Sequence, residues 1–210
     1  MQYKTTKSLF QGKYKYKIVL VCSGASMFRS GDMDATLEMI KKIDLNKNNI
    51  NVRYTNYLIK SAEELDYALQ LQQQVSKMQD FDIRIENPWV SIYSNNPKDI
   101  ADLARLCEDN VKYISQPPAS SALEEGTVLM PKMNYDYRVT MGKTTHEHSA
   151  FVEWATNNIK LKLTKSCIRD LHKNRSWGGT HFYVTGDNNL LMAKMHLGGC
   201  ITKVERIIKG

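Results

Sequence analysis

The chain contains a weak internal repeat, in which a pattern of strand, helix and strand occurs twice at an offset of 91 positions. The clearer copy is Thr180–Ile208, where Gly186-Asp187 predicts a turn before the helix and Gly198-Gly199 predicts its end. The weaker copy begins at Trp89. Four residue pairs align between the copies: Tyr93 with Val184, Ser94 with Thr185, Ile100 with Leu191, and Lys112 with Lys203. Each copy is half of a small α/β sandwich, so the repeat predicts two similar units.

Elements around the repeat extend both units to the order strand, helix, strand, strand, helix, strand. The first unit is predicted at Ile50–Ile59, Ser61–Met78, Phe81–Glu86, Trp89–Ser94, Asn96–Cys107 and Val111–Ser115. The second is predicted at Tyr135–Met141, Glu147–Asn157, Ile159–Leu163, His181–Thr185, Asn188–Leu197 and Ile201–Ile208. This order resembles the ferredoxin-like fold. The predicted class is therefore α+β, with two repeated ferredoxin-like (βαββαβ) units whose antiparallel sheets carry helices on one face.

Composition suggests where the segments of the chain begin and end. Residues 1–13 are predicted as a flexible basic arm, 14–115 as the first unit, 116–133 as a linker, and 134–210 as the second unit with a basic insert at 164–179. The first unit starts with an N-terminal β-α extension, Tyr14–Ile43, which either covers the open face of the sheet or extends one of its edges.

Several classes of protein are disfavoured. No stretch reaches the roughly 20 apolar residues that span a bilayer, and the N-terminus lacks the apolar core of a signal peptide. Cys22, Cys107, Cys167 and Cys200 lie far apart without a CxxC pair, which favours reduced thiols over disulfides or a zinc site. We therefore expect an intracellular, cytoplasmic protein, in the host cytoplasm if viral, with no membrane, metal or cofactor.

The net charge of +7 is concentrated in two places. Five lysines and no acidic residue occur between Lys4 and Lys17, and six cations accompany the single acid Asp170 between Lys160 and Arg175. Local basicity of this kind suits a polyanion, and it is also the composition of a solvated surface. The nucleic-acid hypothesis takes both regions to form one anion-attracting surface.

The basic insert is the strongest candidate for a functional site. If Thr164–Asn174 is helical, Lys165, Arg169, His172 and Lys173 share one face, and Lys160 and Lys162 share a face of a strand. Cations beside an aromatic ring suit single-stranded nucleic acid, where charge follows the backbone and a ring stacks on a base. The alternative is a solvated hairpin that Trp177 anchors to the core. The candidate nucleic-acid-binding residues are Lys13, Lys15, Lys17, Lys160, Lys162, Lys165, Arg169, His172, Lys173, Arg175 and Trp177.

Aromatic residues add a second, weaker indication. Ferredoxin-like RNA binders display aromatics on the two central strands of the open sheet face. Tyr93 in the first unit, and Phe182 or Tyr183 in the second, occupy comparable strands. The arm also mixes aromatic residues with lysines.

The predicted function is non-catalytic binding of single-stranded RNA or DNA, and two alternatives stay open. One is a structural or assembly protein, for example viral, whose arm and insert dock onto neighbouring subunits. The other is a metal-independent endoribonuclease, since all five histidines lie in the second half: His146, His148, His172, His181 and His196. His181 and His196 are expected to be partly buried structural residues. No catalytic residue is assigned.

Overall fold

The computed structural model describes residues 2–43, 59–119 and 122–209. The chain divides into two compact units, Met1–Ala119 and Ser120–Gly210 (units 1 and 2). Each unit contains one five-stranded sheet and helices, so the class is mixed α+β, and the two sheets fit a duplication.

Unit 1 carries five strands and three α-helices in its described part. In chain order they are β1 (Tyr3–Thr5), β2 (Tyr16–Val21), α1 (Met33–Lys41), α2 (Ala62–Val75), β3 (Phe81–Glu86), β4 (Trp89–Ser94), α3 (Pro97–Leu106) and β5 (Val111–Gln116). The strand order is β1-β5-β2-β4-β3, in which β1 runs parallel to β5 and the other neighbours are antiparallel. The segment assigned to a flexible arm therefore includes an edge strand.

The predicted N-terminal extension is neither a cover nor an edge, because β2 is the middle strand of the sheet. Ile18 and Leu20 are fully buried on the helix side, and Val19 is buried on the opposite side. The apolar run is buried on both faces because helices pack on one side of the sheet, and its two edges are hydrogen-bonded to β4 and β5. The strand predicted at Ile50–Ile59 lies, except for Ile59, outside the described residues.

Helix starts follow the predicted capping residues. The Asp32 carboxylate accepts from the backbone N–H groups of the first turn of α1, and Asn96 caps α3 ahead of Pro97. The Ser61 hydroxyl accepts from the Glu64 N–H at 3.2 Å, while the Glu64 carboxylate accepts from the N–H before Ser61 at 2.6 Å. These caps could be predicted from the sequence because the residues of each cap lie within three or four positions of one another.

Unit 2 repeats the strand order of unit 1. Its elements are β6 (Thr127–Leu129), β7 (Tyr137–Met141), α4 (Ser149–Thr156), β8 (Leu161–Leu163), α5 (Lys165–Leu171), β9 (His181–Val184), α6 (Asp187–Leu197) and β10 (Ile201–Ile208). The order is β6-β10-β7-β9-β8, again with the short first strand parallel to the last. The segment predicted as a linker, 116–133, therefore contributes β6.

The sequence repeat corresponds to equivalent parts of the two sheets. The run β4-α3-β5 of unit 1 matches β9-α6-β10 of unit 2, and Tyr93 and Val184 lie in corresponding strands. Lys112 and Lys203 likewise occupy corresponding strands, β5 and β10.

Each sheet has a helix-covered face and an outer face. On the covered face, alternate strand residues such as Ile92 and Phe182 join the buried residues of the helices in one apolar cluster per unit. The intervening residues form the outer face. In unit 1 these include Lys17, Val19, Val21, Trp89, Tyr93 and Tyr113, and in unit 2 they include Arg138, Thr140, Lys162, His181, Tyr183, Lys203 and Glu205.

The central position of β2 leads to a stability prediction. We expect Leu20→Ala to lower the free energy of unfolding by about 2–5 kcal/mol, because it leaves a cavity in the core of unit 1. Val21→Ala, next to it on the outer face and 38% exposed, should cost less than about 1 kcal/mol. Urea unfolding measures both, and equal losses would contradict the central placement.

Candidate nucleic-acid interface

The basic insert folds as predicted around a short helix. Cys167 and Leu171 of α5 are buried in the core of unit 2. Thr164 caps the helix: its hydroxyl accepts from the Cys167 N–H at 3.2 Å and donates to the His181 carbonyl at 2.8 Å. The helix is thereby tied both to the core and to β9.

The opposite face of α5 is exposed and basic. Lys165 and Arg169 are exposed, as are His172 and Lys173 just beyond the helix. Only Lys173 has an acidic neighbour in the described part of the chain, with its ammonium 3.2 Å from the Asp170 carboxylate. Lys165 and Arg169 therefore share one face of the helix, while His172 and Lys173 follow its end, and most of the charge in this region is uncompensated.

The remaining candidate cations, in the insert and just before it, are exposed as well. Lys160 and Lys162 flank Leu161, which is buried in the core, and Arg175 lies in the turn after α5. None of these three forms an ion pair with a described residue.

Trp177 does not anchor the insert to the core, since its side chain is 86% exposed. Within the described residues its one cationic neighbour over the ring is Lys143, whose Nζ lies 5.3 Å from the ring centroid. A large, exposed aromatic ring beside an ammonium is free to stack on a planar ligand.

The loop that carries Trp177 is held in place by its backbone. Thr144 and Ser176 exchange two N–H to carbonyl hydrogen bonds, at 3.0 and 3.2 Å. Gly178 has φ +80°, and a Cβ at this position would lie 2.4 Å from backbone atoms of Gly142. The exposed ring therefore projects from a fixed turn that requires glycine.

The three candidate lysines of the arm region have different surroundings. Lys13 lies 2.6 Å from the Asp80 carboxylate, an exposed pair that raises the pKa of Lys13 and lowers the pKa of Asp80 through their hydrogen bond. Lys15 is exposed, and Lys17 lies 5.4 Å above the Tyr93 ring. These lysines belong to unit 1 and the insert to unit 2, so a single shared surface stays a prediction.

The aromatics predicted to be displayed for RNA are covered. Tyr93 does lie on the outer face of unit 1, but Phe10 and Tyr14 pack on its ring. Phe182 points into the core of unit 2, and Tyr183 is buried beneath Tyr135. The alternation of side chains along each strand predicts which face of the sheet a ring lies on. It does not predict which distant segments pack over that ring.

The outer face of unit 1 is covered by lysines that lie on aromatic rings. The ammonium of Lys112 is 3.2 Å from the Trp89 ring centroid, and that of Lys4 is 3.7 Å from the Tyr113 ring centroid. Their alkyl chains shield the sheet while the charges stay near water.

The outer face of unit 2 contains a charged group that sequence reasoning missed. Glu205 is only 1% exposed. Arg138 donates from Nε and Nη2 to Glu205 Oε2 at 2.8 and 2.6 Å, and Lys203 Nζ lies 2.8 Å from Oε1. The sequence signal was the alternation of β10, which places Lys203, Glu205 and Ile207 on one side. Alternation alone does not show which side chain of another strand pairs with Glu205, since Arg138 lies 67 positions earlier in the chain.

The histidines are distributed over unit 2, and two are neighbours. The rings of His146 and His148 are 4.5 Å apart, and Nε2 of the buried His148 is 3.5 Å from Cys200 Sγ. Contrary to expectation, His196 is exposed, stacked on Trp154. Across residues 2–43, 59–119 and 122–209, no three His, Cys, Asp or Glu side chains form a group that could hold a metal ion.

No family model, curated protein or solved structure matches this chain. Among the helices of the described residues, none has both the length and the apolar character needed to cross a membrane.

We expect the stability of unit 2 to depend on the charge state of His148. Burial, and then the nearby His146, lower the pKa of His148. The unfolded chain therefore takes up a proton at higher pH than the folded chain. The contribution of neutral His148 to the free energy of unfolding is complete above about pH 6.5 and is lost as the pH falls.

The measurement is the free energy of unfolding between about pH 7.5 and about pH 5. We expect a smaller decrease for His148→Gln than for the unaltered chain; His181, whose pKa is also lowered by burial and then by Arg138, sustains part of the slope. An unchanged slope in the variant would contradict the assignment.

The buried Glu205 should behave as part of an ion pair. Glu205→Leu leaves Arg138 without its partner, and we expect a loss of about 3 kcal/mol in the free energy of unfolding. The double variant Glu205→Leu, Arg138→Met removes both charges and should recover part of that loss. Urea denaturation of the two variants provides the comparison, and a double variant less stable than Glu205→Leu would argue against the pairing.

Proposed function

We propose that this protein binds single-stranded nucleic acid, RNA or DNA, through the insert of unit 2 and does so without cleaving it. The observation that carries the proposal is the exposure of Trp177. Its ring is almost fully exposed, lies beside Lys143, and projects from a turn that backbone hydrogen bonds hold in place. Exposing a large aromatic ring to water is unfavourable, and single-stranded binders use such rings as stacking platforms for bases.

The charge of the insert supports a polyanionic ligand. Lys160, Lys162, Lys165, Arg169 and Arg175 are exposed and have no ion-pair partner among the described residues. Unpaired cations of this kind bind phosphates and release the counterions condensed on the strand, which makes the affinity strongly dependent on salt. Lys13, Lys15 and Lys17 provide a further basic region in unit 1, where Lys13 is partly neutralised by Asp80.

We also propose that each unit has the ferredoxin-like topology. If the short strands β1 and β6 are set aside, the order in each sheet is last, first, third, second strand, with antiparallel neighbours. This order supports the βαββαβ interpretation and a common origin for both units.

Charge reversal on the insert should abolish most of the binding. We expect Lys165→Glu, Arg169→Glu, Lys173→Glu to weaken binding to a fluorescein-labelled oligonucleotide, dT12 or rU12, by about 100-fold at low salt, because several phosphate contacts are lost. Fluorescence anisotropy measures the change. The matched control is Lys132→Glu, Lys194→Glu, Lys209→Glu, three exposed lysines of the same unit outside the insert. Equal losses of affinity in both triple variants would mean that the change in net charge alone causes the effect.

The ring of Trp177 should contribute separately. We expect Trp177→Ala to weaken binding about tenfold and Trp177→Phe to retain most of it, since loss of base stacking costs roughly 1–3 kcal/mol. Because the side chain is exposed, neither change should alter the thermal midpoint. Unchanged affinity in Trp177→Ala would remove stacking from the proposal.

The same samples separate the alternative functions. Concentration-dependent light scattering without any affinity for oligonucleotides would favour an assembly protein. Cleavage of an RNA pool that disappears in variants of His146, His148 or His172 would favour a ribonuclease.

A further inference from the structure

The outer face of unit 2 brings four charged or titratable side chains together on three adjacent strands. In the register of the sheet, Arg138 on β7 faces Glu205 on β10, and Thr140 faces both Lys203 on β10 and His181 on β9. Arg138, Glu205, Lys203 and His181 are therefore neighbours on one surface. Lys162 on β8 extends the row beyond Tyr183, which is the partner of Arg138.

The carboxylate of Glu205 lies between two cations, Arg138 and Lys203. It is buried and accepts from both Arg138 nitrogens, and Lys203 approaches its other oxygen at 2.8 Å. Apolar residues of similar volume often stabilise a fold as well as a buried ion pair does, so stability gives little reason for this group. The carboxylate orients the Arg138 guanidinium through two hydrogen bonds, and it keeps the Lys203 ammonium close as an ion pair that makes no hydrogen bond to Oε1.

The cations keep capacity for a ligand. The side chain of Arg138 is 27% exposed and that of Lys203 is 47% exposed, whereas Glu205 between them is buried. Arg138 Nη1 has no hydrogen-bond partner within the described ranges. Two positive charges against one negative leave an excess, and Lys162 adds a further unpaired cation to the row.

The remaining neighbours do not cancel this charge. The ring of His181 packs edge-on against Tyr183 at 5.4 Å, and burial and then Arg138 lower its pKa, which favours the neutral form. Tyr183 is itself buried in an apolar group with Val128, Ile207 and Tyr135, which contributes no charge. Glu205 is the one carboxylate that pairs with Arg138 and Lys203 among the described residues.

We infer that Arg138 and Lys203 form a phosphate-binding site on the outer face of unit 2, which takes a backbone phosphate of a nucleic-acid strand. A guanidinium and an ammonium suit the charge and the acceptor oxygens of a phosphodiester. Continuity favours this ligand, because Lys162 lies in the same sheet just before the insert and Trp177 lies four residues before His181. The inference rests on the proposed function for the identity of the strand.

The experiment measures oligonucleotide affinity as a function of salt for Lys203→Gln. This variant should bind labelled dT12 about threefold to tenfold more weakly and reduce the salt slope by about 0.7, the value for one phosphate contact on a single strand. Lys209→Gln, an exposed lysine one residue after β10, is the matched control and should change neither quantity. Lys203→Gln leaves Glu205 paired with Arg138, so the fold is preserved.

A second probe separates this site from the insert. Thymidine 3′,5′-bisphosphate carries phosphates on a single nucleoside, and it should shift the backbone amide resonances of Arg138, His181 and Lys203 in the full chain but not in Lys203→Gln. Inorganic phosphate at the same concentration tests whether the nucleoside is needed: equal shifts would mean that the site takes free phosphate as well.

The outcomes of the two proposals differ. If the insert variants lose affinity while Lys203→Gln keeps both affinity and slope, the outer-face site is overturned and the proposed function stands. If the insert variants bind normally while Lys203→Gln loses the contact, the site stands and the insert does not form the interface. A chain that binds neither dT12 nor the bisphosphate overturns both.

Discussion

Both units depend on the pairing of an early strand with two strands that come much later in the chain. In unit 1, β2 lies between β4 and β5, and in unit 2, β7 lies between β9 and β10. These pairings bury Ile18, Leu20 and Val139 and hold the repeated strand, helix and strand against the rest of the unit. Without them each repeat would be an open half-sandwich with an exposed apolar face. The helices, the insert and both outer faces are positioned by this central strand.

The two units fit a duplication, but their outer faces have taken different forms. Lys112 and Lys203 are equivalent in the sequence repeat and lie in corresponding strands. Lys112 lies over the Trp89 ring, whereas Lys203 approaches the buried Glu205. A lysine on a ring shields an apolar surface, while a lysine held by a carboxylate has a fixed position. The lysine at this position thus covers an aromatic ring in unit 1 and belongs to a charged cluster in unit 2.

The insert illustrates which parts of a site can be predicted. Its helix was predictable because Cys167 and Leu171 are one helical turn apart and their burial exposes Lys165 and Arg169 on the opposite side. The environment of Trp177 was not predictable. Whether a tryptophan in a turn is buried or exposed depends on Gly142, Thr144 and other residues more than 30 positions upstream. The outer-face cluster was missed for the same reason, since Arg138 and Glu205 are 67 positions apart.

The amino-acid sequence was enough to predict the α+β class, the two units, the capped helix starts at Asp32, Ser61 and Asn96, and the two basic regions. These follow from periodicity and short-range hydrogen bonds, which act over a few residues and need no knowledge of the rest of the chain. The folded chain was needed to show that β2 is central, that Tyr93 and Tyr183 are covered, and that Glu205 pairs with Arg138 and Lys203. Each of these depends on the register between distant strands, where a shift of one residue would exchange the two faces of the sheet.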